Sequence, residues 1–153
     1  MDSKIGRYLP ATPFCWWVRA AERMGREVIA RDKPALLYVT VSPYPATKAA
    51  AALAKRHNLP WVVDMRDPWA LDPINYYPSR LHHQMDLAAM EAACRGATAV
   101  IMNTPDSLQA LKARFPRLSG SKLFCIPNGW DRSDFELSAT SISTSPPSRK
   151  AWI

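Results

Sequence analysis

The chain has 153 residues and a formal net charge of +7, with 48% hydrophobic and 22% charged residues. That length suits one hydrophobic core of moderate size, and no run approaches the roughly 20 apolar residues needed to cross a bilayer. The three cysteines are odd in number, widely spaced and without a paired motif, so they predict neither a disulfide framework nor a metal site.

The positive charge is concentrated in the first third of the chain. Residues 1–57 hold ten Lys or Arg against four Asp or Glu, whereas residues 58–153 hold ten against nine. This basic segment suits the solvated faces of helices, and contact with an anionic lipid surface or a phosphorylated ligand stays open. No zinc-finger spacing, helix-turn-helix pattern or aromatic-basic motif supports nucleic-acid binding. Because the opening residues lack the apolar core of a signal peptide, we expect a cytoplasmic protein, with peripheral contact at the inner membrane face left open.

The first elements form a strand–helix–strand unit preceded by a helix. Thr12 and Pro13 predict a helix start. The apolar stripe expected to pack inward from this helix is Phe14, Trp17, Ala21, Met24 and Val28. Residues 35–41 predict a buried strand, Ala46 to His57 a helix, and residues 61–64 a second strand buried on both faces. Such a unit makes its two strands parallel, with a right-handed crossover.

Two loops are therefore predicted to leave the same edge of the sheet. Ser42–Pro45 follow the first strand and precede a helix amino terminus, which suits an anion or a hydroxyl-rich ligand. The second strand stops at Asp64, and Pro68 forces a loop there. Ligands of open α/β sheets bind at the carboxyl ends of strands. Arg66 is expected either to pair with Asp64 or Asp67 and pin this loop, or to serve a ligand.

Further elements continue the alternation. The loop from Leu71 to Ser79 is rich in aromatic and turn residues, which favours a functional role. A helix from Ser79 to Arg95 is expected to bury Leu81, Met85, Ala88 and Ala92, with Asp86 and Glu91 facing away. The adjacent His82 and His83 point in different directions on this helix, which argues against a shared metal.

The last third supplies two more strands. Residues 97–102 predict a third strand, and Thr104 with Pro105 predicts the start of a helix that buries Leu108, Leu111 and Phe115. Residues 122–126 predict a fourth strand, and Asn128-Gly129 after it favours the left-handed conformations of a tight turn. Four strands alternating with helices indicate a doubly wound α/β fold, a Rossmann-like parallel sheet with flanking helices.

Four segments, in this order and spacing, resemble the amino-terminal domain of family 4 glycosyltransferases, which are retaining enzymes of the two-domain GT-B architecture. They are Tyr38–Pro43, Pro60–Trp69, Ala97–Asn103 and Ile126–Asp131. The resemblance covers residues 12–135, and its most specific parts are the Arg-Asp-Pro-Trp box and the Ile-Pro-Asn-Gly-x-Asp box.

The resemblance implies the acceptor-side lobe of a hexosyltransferase-like enzyme. Such an enzyme transfers a sugar from a nucleotide-sugar co-substrate to a hydroxyl of a small-molecule, glycolipid or polysaccharide acceptor, and no further cofactor is implied. The implied acceptor-binding residues are Ser42, Tyr44, Arg66, Asp67 and Trp69, and the implied interlobe hinge is Asn128, Gly129 and Asp131. Many relatives carry a histidine where this chain has Arg66, so no residue is assigned as nucleophile or base.

The chain also departs from the family. Residues 1–11 match no part of it and predict a poorly ordered start, while residues 136–153 form a Ser/Thr/Pro-rich tail that predicts disorder. The donor-binding lobe that follows in relatives is missing, so we expect this chain alone to be inactive. The alternative is a truncated, non-catalytic remnant or an interaction lobe that needs a separate donor-binding lobe. A dinucleotide-binding domain is disfavoured because no Gly-x-Gly-x-x-Gly follows any strand.

Overall fold

A computed structural model describes residues 15–129 together with residues 131 and 133. The helices are α1 (Cys15–Asp32), α2 (Ala46–His57), α3 (Arg80–Gly96) and α4 (Pro105–Arg114), and the strands are β1 (Leu37–Val41), β2 (Trp61–Met65), β3 (Ala99–Met102) and β4 (Leu123–Cys125). Short 3-10 helices span Trp69–Leu71 and Gly120–Lys122. The predicted helix start at Thr12, the predicted disordered start and the predicted tail lie outside the described residues.

The four strands form one parallel sheet in the order β1-β2-β3-β4, which confirms the α/β prediction. Each connection is a crossover to the next strand in the same direction. Because such crossovers are right-handed, α2, α3 and α4 lie on one face of the sheet. The contacts of α2 with β1, β2 and α3, and of α4 with β3 and β4, agree with this arrangement.

Burial alternates along β1 and β2, because the helices of the described residues that pack on the sheet lie on one face; in β3 Ile101 is buried on the other face as well. Val63 and Met102 point towards the helices and are fully buried. Their neighbours on the other face include Tyr38, which is 58% exposed, and Phe124, which is 47% exposed. The prediction of a buried first strand was therefore wrong, and so was that of a second strand buried on both faces, because Val62 and Asp64 are only partly buried. We call the less covered side the bare sheet face.

Trp61 ties together the elements at the amino edge of the sheet. Its indole Nε1 donates a hydrogen bond of 2.8 Å to the carbonyl of Gly96 at the end of α3. The backbone N–H of Thr98 donates to the carbonyl of Trp61 at 2.8 Å, just before β3 begins. With only 4% of its surface exposed, Trp61 fixes where α3 ends and where β3 joins β2.

Two helices bury a different face from the one predicted. α1 packs on α2 through Gly25, where a Cβ atom would overlap the side chain of Leu53, and through the buried Ile29. In the predicted α1 stripe, Trp17, Met24 and Val28 are exposed instead of buried. Phe14 lies outside the described residues. In α3 the buried residues are Leu87, Met90, Ala93 and Cys94, and the predicted set of Leu81, Met85, Ala88 and Ala92 is exposed. Both helices carry two apolar stripes, and periodicity alone does not choose between them.

The other helices follow their sequence signals. α2 runs from Ala46 to His57 as predicted. Thr104 caps α4 by accepting a hydrogen bond of 3.1 Å from the N–H of Ser107, and Leu111 and Phe115 are buried as predicted. None of the helices between residues 15 and 129 is both long and apolar enough to cross a membrane.

Replacing Met102 and Met24 separately by alanine tests the burial pattern. Met102 is fully buried, so Met102→Ala should lower the free energy of unfolding by about 2–5 kcal/mol. Met24 is 61% exposed, so Met24→Ala should lower it by less than about 0.5 kcal/mol. Urea denaturation of the 153-residue chain measures both values. A loss for Met24→Ala as large as about 2–5 kcal/mol would contradict the exposure of Met24 on α1.

Candidate functional site

The loops that follow β1 and β2 meet at the carboxyl edge of the sheet. The two strands are parallel, so both loops leave on the same side. The ring of Tyr44 stacks on Trp69 with 4.8 Å between centroids and an angle of 3° between planes. This contact confirms the prediction that the loops Ser42–Pro45 and Arg66–Trp69 share one edge.

Trp69 is the buried support of this edge. Only 3% of its surface is exposed, and its backbone adopts a left-handed φ of 47°. That conformation costs a non-glycine residue about 1–2 kcal/mol. The Tyr44 stack and a hydrogen bond of 2.8 Å from the Asn75 amide nitrogen to the Trp69 carbonyl hold it in place. Of the two stacked rings, Tyr44 is therefore the one that a ligand can reach more easily.

The amino terminus of α2 has few free donors. The N–H groups of Ala46, Thr47 and Lys48 donate to the carbonyls of the three residues before the helix. Pro43 and Pro45 have no N–H group at all. The predicted site for an anion or a hydroxyl-rich ligand therefore has no free backbone donor from residues 46–48. Ser42 precedes the helix and is exposed, so its hydroxyl faces solvent at the rim.

Arg66 and Asp67 are exposed charges that form no ion pair among the described residues. Within residues 15–129, neither forms an ion pair or a hydrogen bond with another described residue. The ion pairs seen there join Arg31 to Asp32 and Arg95 to Glu91. The interpretation in which Arg66 pins the loop by pairing with Asp64 or Asp67 is therefore wrong, and both charges are free to meet a ligand.

The charges of Arg66 and Asp67 act on different tyrosines. Burial and then the Asp64 carboxylate raise the pKa of Tyr38 on the bare sheet face, and Arg66 acts in the opposite direction. Burial and then the Asp67 carboxylate raise the pKa of Tyr44 on the helix-covered side. Arg66 therefore acts on Tyr38 of the bare sheet face, whereas Asp67 acts on Tyr44.

The predicted hinge follows β4 at the same edge. Asn128 and Gly129 are exposed, and neither has a positive φ, so the predicted left-handed turn is absent there. The Asp131 carboxylate accepts hydrogen bonds from the N–H of Ser133 at 2.9 Å and from its hydroxyl at 2.8 Å. These bonds lower the pKa of Asp131.

A second group of polar side chains at this edge was not predicted from the sequence. The Tyr77 hydroxyl donates to Asp86 at 3.1 Å, so Asp86 does not face away as predicted. His83 donates from Nε2 to the Ala70 carbonyl at 2.9 Å, and its ring stacks on Tyr77. The aromatic composition of the loop from Leu71 to Ser79 was the available signal. No group of three metal-ligand side chains occurs among the described residues.

Comparison with known proteins finds one family. Residues 5–129 match the model of the glycosyl transferase 4-like domain. None of the curated proteins compared with the chain matches it. The matched range contains the whole sheet and both loops of the stacked pair, Tyr44 and Trp69. It also begins at residue 5, so the expectation that residues 1–11 match no part of the family was wrong for residues 5–11.

A double-mutant cycle on Tyr44 and Trp69 tests the stack. The variants Tyr44→Leu, Trp69→Leu and the double variant should give a coupling free energy of about 0.5–1.5 kcal/mol in urea denaturation. The control cycle pairs Tyr44 with Trp61, a buried tryptophan at the opposite edge of the sheet, and should give about 0.3 kcal/mol or less. A coupling as small for Trp69 as for Trp61 would contradict the stacked geometry.

The alkaline stability of the chain tests the environment of Tyr77. Burial, followed by the Asp86 carboxylate, raises the pKa of Tyr77 above its ordinary value of 10.0. When folding raises the pKa of a phenol, the protonated phenol stabilises the folded state. This contribution is complete at pH values below the pKa of the unfolded chain, and it is lost as the pH rises through the higher pKa of the folded chain. Tyr77→Phe should therefore make the free energy of unfolding fall less steeply above pH 10.0.

The control for this experiment is Tyr76→Phe, because Tyr76 is the neighbouring tyrosine and is 86% exposed. Its stability profile should follow that of the unchanged chain. Parallel profiles for Tyr77→Phe and the unchanged chain would show that Tyr77 is not held in this environment.

Proposed function

The chain belongs to the glycosyl transferase 4-like domain family, and on that premise we propose that it is the acceptor-side lobe of a sugar-transferring enzyme. The enzyme transfers a sugar from a nucleotide-sugar donor to a hydroxyl of its acceptor. The acceptor is a small molecule, a glycolipid or a polysaccharide. We assign the binding of the nucleotide sugar to a separate donor-binding lobe.

The observation that carries this proposal is the unpaired Asp67 beside Tyr44. Its carboxylate is exposed, has no ion pair or hydrogen bond among the described residues, and lies near enough to Tyr44 to raise the pKa of that phenol. A free carboxylate accepts strong hydrogen bonds from hydroxyl groups. An aromatic ring beside it offers an apolar surface to the C–H face of a sugar. Together they supply the two kinds of contact that a hydroxyl-rich acceptor needs.

The proposed step forms one bond and breaks another. The acceptor oxygen bonds to the anomeric carbon of the donor sugar, the bond from that carbon to the diphosphate oxygen breaks, and the proton of the hydroxyl passes to the departing diphosphate. Asp67 orients the hydroxyl by accepting its hydrogen bond, which lowers the entropic cost of the encounter. Because Arg66 forms no ion pair with Asp67, we assign it to an anionic group of the acceptor and not to the orientation of Asp67.

A second candidate is the non-catalytic interaction lobe. The bare sheet face favours it, because Tyr38 and Phe124 expose apolar area that parallel sheets usually cover. In that case the edge of the sheet binds no acceptor, and the chain serves to hold a partner. Activity with a supplied donor lobe separates the two candidates.

A transfer assay with the 153-residue chain tests the proposed function. The chain alone should transfer no sugar, and the chain mixed with a donor-binding lobe of the same family should transfer one from a panel of nucleotide sugars. Asp67→Ala should then lower kcat/KM by about 10- to 100-fold, the value of one hydrogen bond to a charged group.

The matched control is Asp32→Ala, because Asp32 is an exposed aspartate at the end of α1, on the amino side of the sheet. It should leave transfer unchanged. Sedimentation of the mixture establishes that the lobes associate. Associated lobes that transfer nothing, or an Asp67→Ala variant as active as Asp32→Ala, would overturn the proposal.

A further inference from the structure

A cavity of about 390 Å³ lies next to the Tyr44 and Trp69 stack. Its walls come from the loop after the Trp69–Leu71 helix, from α3 and from the end of α4. The polar side chains that line it are Asp72, Asn75, Tyr77, His83 and Arg114, and Leu87 forms part of its apolar surface. This volume lies in the range of small-molecule sites and suits a single sugar ring.

Hydrogen bonds fix the shape of this cavity before any ligand arrives. His83 ties α3 to the loop by donating from Nε2 to the Ala70 carbonyl at 2.9 Å. Asn75 ties the loop to the Trp69 carbonyl at 2.8 Å. The N–H of Ile74 donates to the Asp72 carboxylate at 2.9 Å, which leaves further acceptor positions on that carboxylate. A wall held in this way loses little entropy when it binds a ligand.

The charge around the cavity is negative, although the chain as a whole carries +7. The carboxylates of Asp72 and Asp86 both raise the pKa of Tyr77, after burial, and both also act on Tyr44 together with Asp67. Arg114 is the cation that lines the cavity, and its guanidinium lies 5.3 Å from the centre of the Phe115 ring. Asp72 lines the cavity, and Asp86 lies directly behind the lining residue Tyr77, whose hydroxyl it binds at 3.1 Å, so two carboxylates against one guanidinium disfavour an anionic ligand.

We propose that this cavity is the subsite for a neutral, hydroxyl-rich sugar ring of the acceptor, and that it discriminates against acidic and phosphorylated sugars. The inference rests on the proposed function and specifies its substrate class. Asp72 accepts hydrogen bonds from ring hydroxyls, Arg114 donates to them, and Tyr77 with His83 offers an aromatic wall. Carboxylate and phosphate groups on the ring meet repulsion from Asp72 and Asp86.

Nuclear magnetic resonance titration of the 153-residue chain tests this subsite without any donor. The neutral probes are the methyl α-glycosides of glucose, mannose and galactose, and the acidic probes are methyl glucuronide and glucose 1-phosphate. Saturable shifts of the backbone amides from Asp72 to Tyr77 should appear with a neutral probe. The acidic probes should bind at least about tenfold more weakly, as one repulsive contact would give.

Asp72→Asn keeps the shape of the side chain and removes its charge. This variant should bind the neutral probe more weakly. It should also reduce the difference in affinity between methyl glucoside and methyl glucuronide. Asp32→Asn, at the opposite edge of the sheet, should change neither. The proposal is overturned if no neutral probe gives saturable shifts at these amides, if an acidic probe binds as tightly as the neutral ones, or if Asp72→Asn leaves the difference unchanged.

The titration and the transfer assay fail separately. If the chain binds a neutral sugar in the cavity but transfers none with an associated donor lobe, the sugar-binding site is supported and the proposed function is contradicted. If the unchanged chain and the Asp72→Asn variant transfer to a neutral acceptor equally well, the proposed function is supported and the subsite is contradicted.

Discussion

The parallel pairing of β1 with β2 is the constraint on which the candidate site depends. It brings the ends of the two strands side by side, so that Tyr44 reaches Trp69 across the gap between their loops. Trp69 accepts an unfavourable left-handed backbone to make that contact and is buried beneath it. The loop from Asp72 to Tyr77 is then anchored to Trp69 through Asn75, and the cavity forms behind it. The Tyr44–Trp69 stack, the loop from Asp72 to Tyr77 and the cavity therefore all depend on the pairing of β1 with β2.

The same pairing separates the two charges that the sequence places next to each other. Both residues follow the end of β2, and they act on different tyrosines. Arg66 adds a positive charge near Tyr38 and Asp64, while Asp67 joins the acidic residues around Tyr44. Arg66 and Asp67 look like an ion pair in the sequence. In the folded chain they do not pair, and each acts on a different tyrosine.

Sequence reasoning identified the elements with strong local signals and missed those decided by tertiary contacts. α2 and α4 were placed well because prolines and a capping threonine mark their starts. The buried faces of α1 and α3 were assigned wrongly because each helix offers two apolar stripes and only its neighbours select one. The shared edge of the two loops was predicted correctly from the crossover rule. The cavity was not, since His83 and Arg114 come from distant parts of the chain that only the folded arrangement joins.

The spatial order of the strands equals their order along the chain, and this has a consequence for how the sheet assembles. Each strand pairs with the one before it, so no later strand has to be inserted between two that are already paired. Every loop to be closed is one crossover long, which keeps the entropy of closure small at each addition. A growing polypeptide can therefore lay down this sheet progressively from β1 to β4 as it leaves the ribosome, and the edge that carries Tyr44 and Trp69 is complete before β3 and β4 are made.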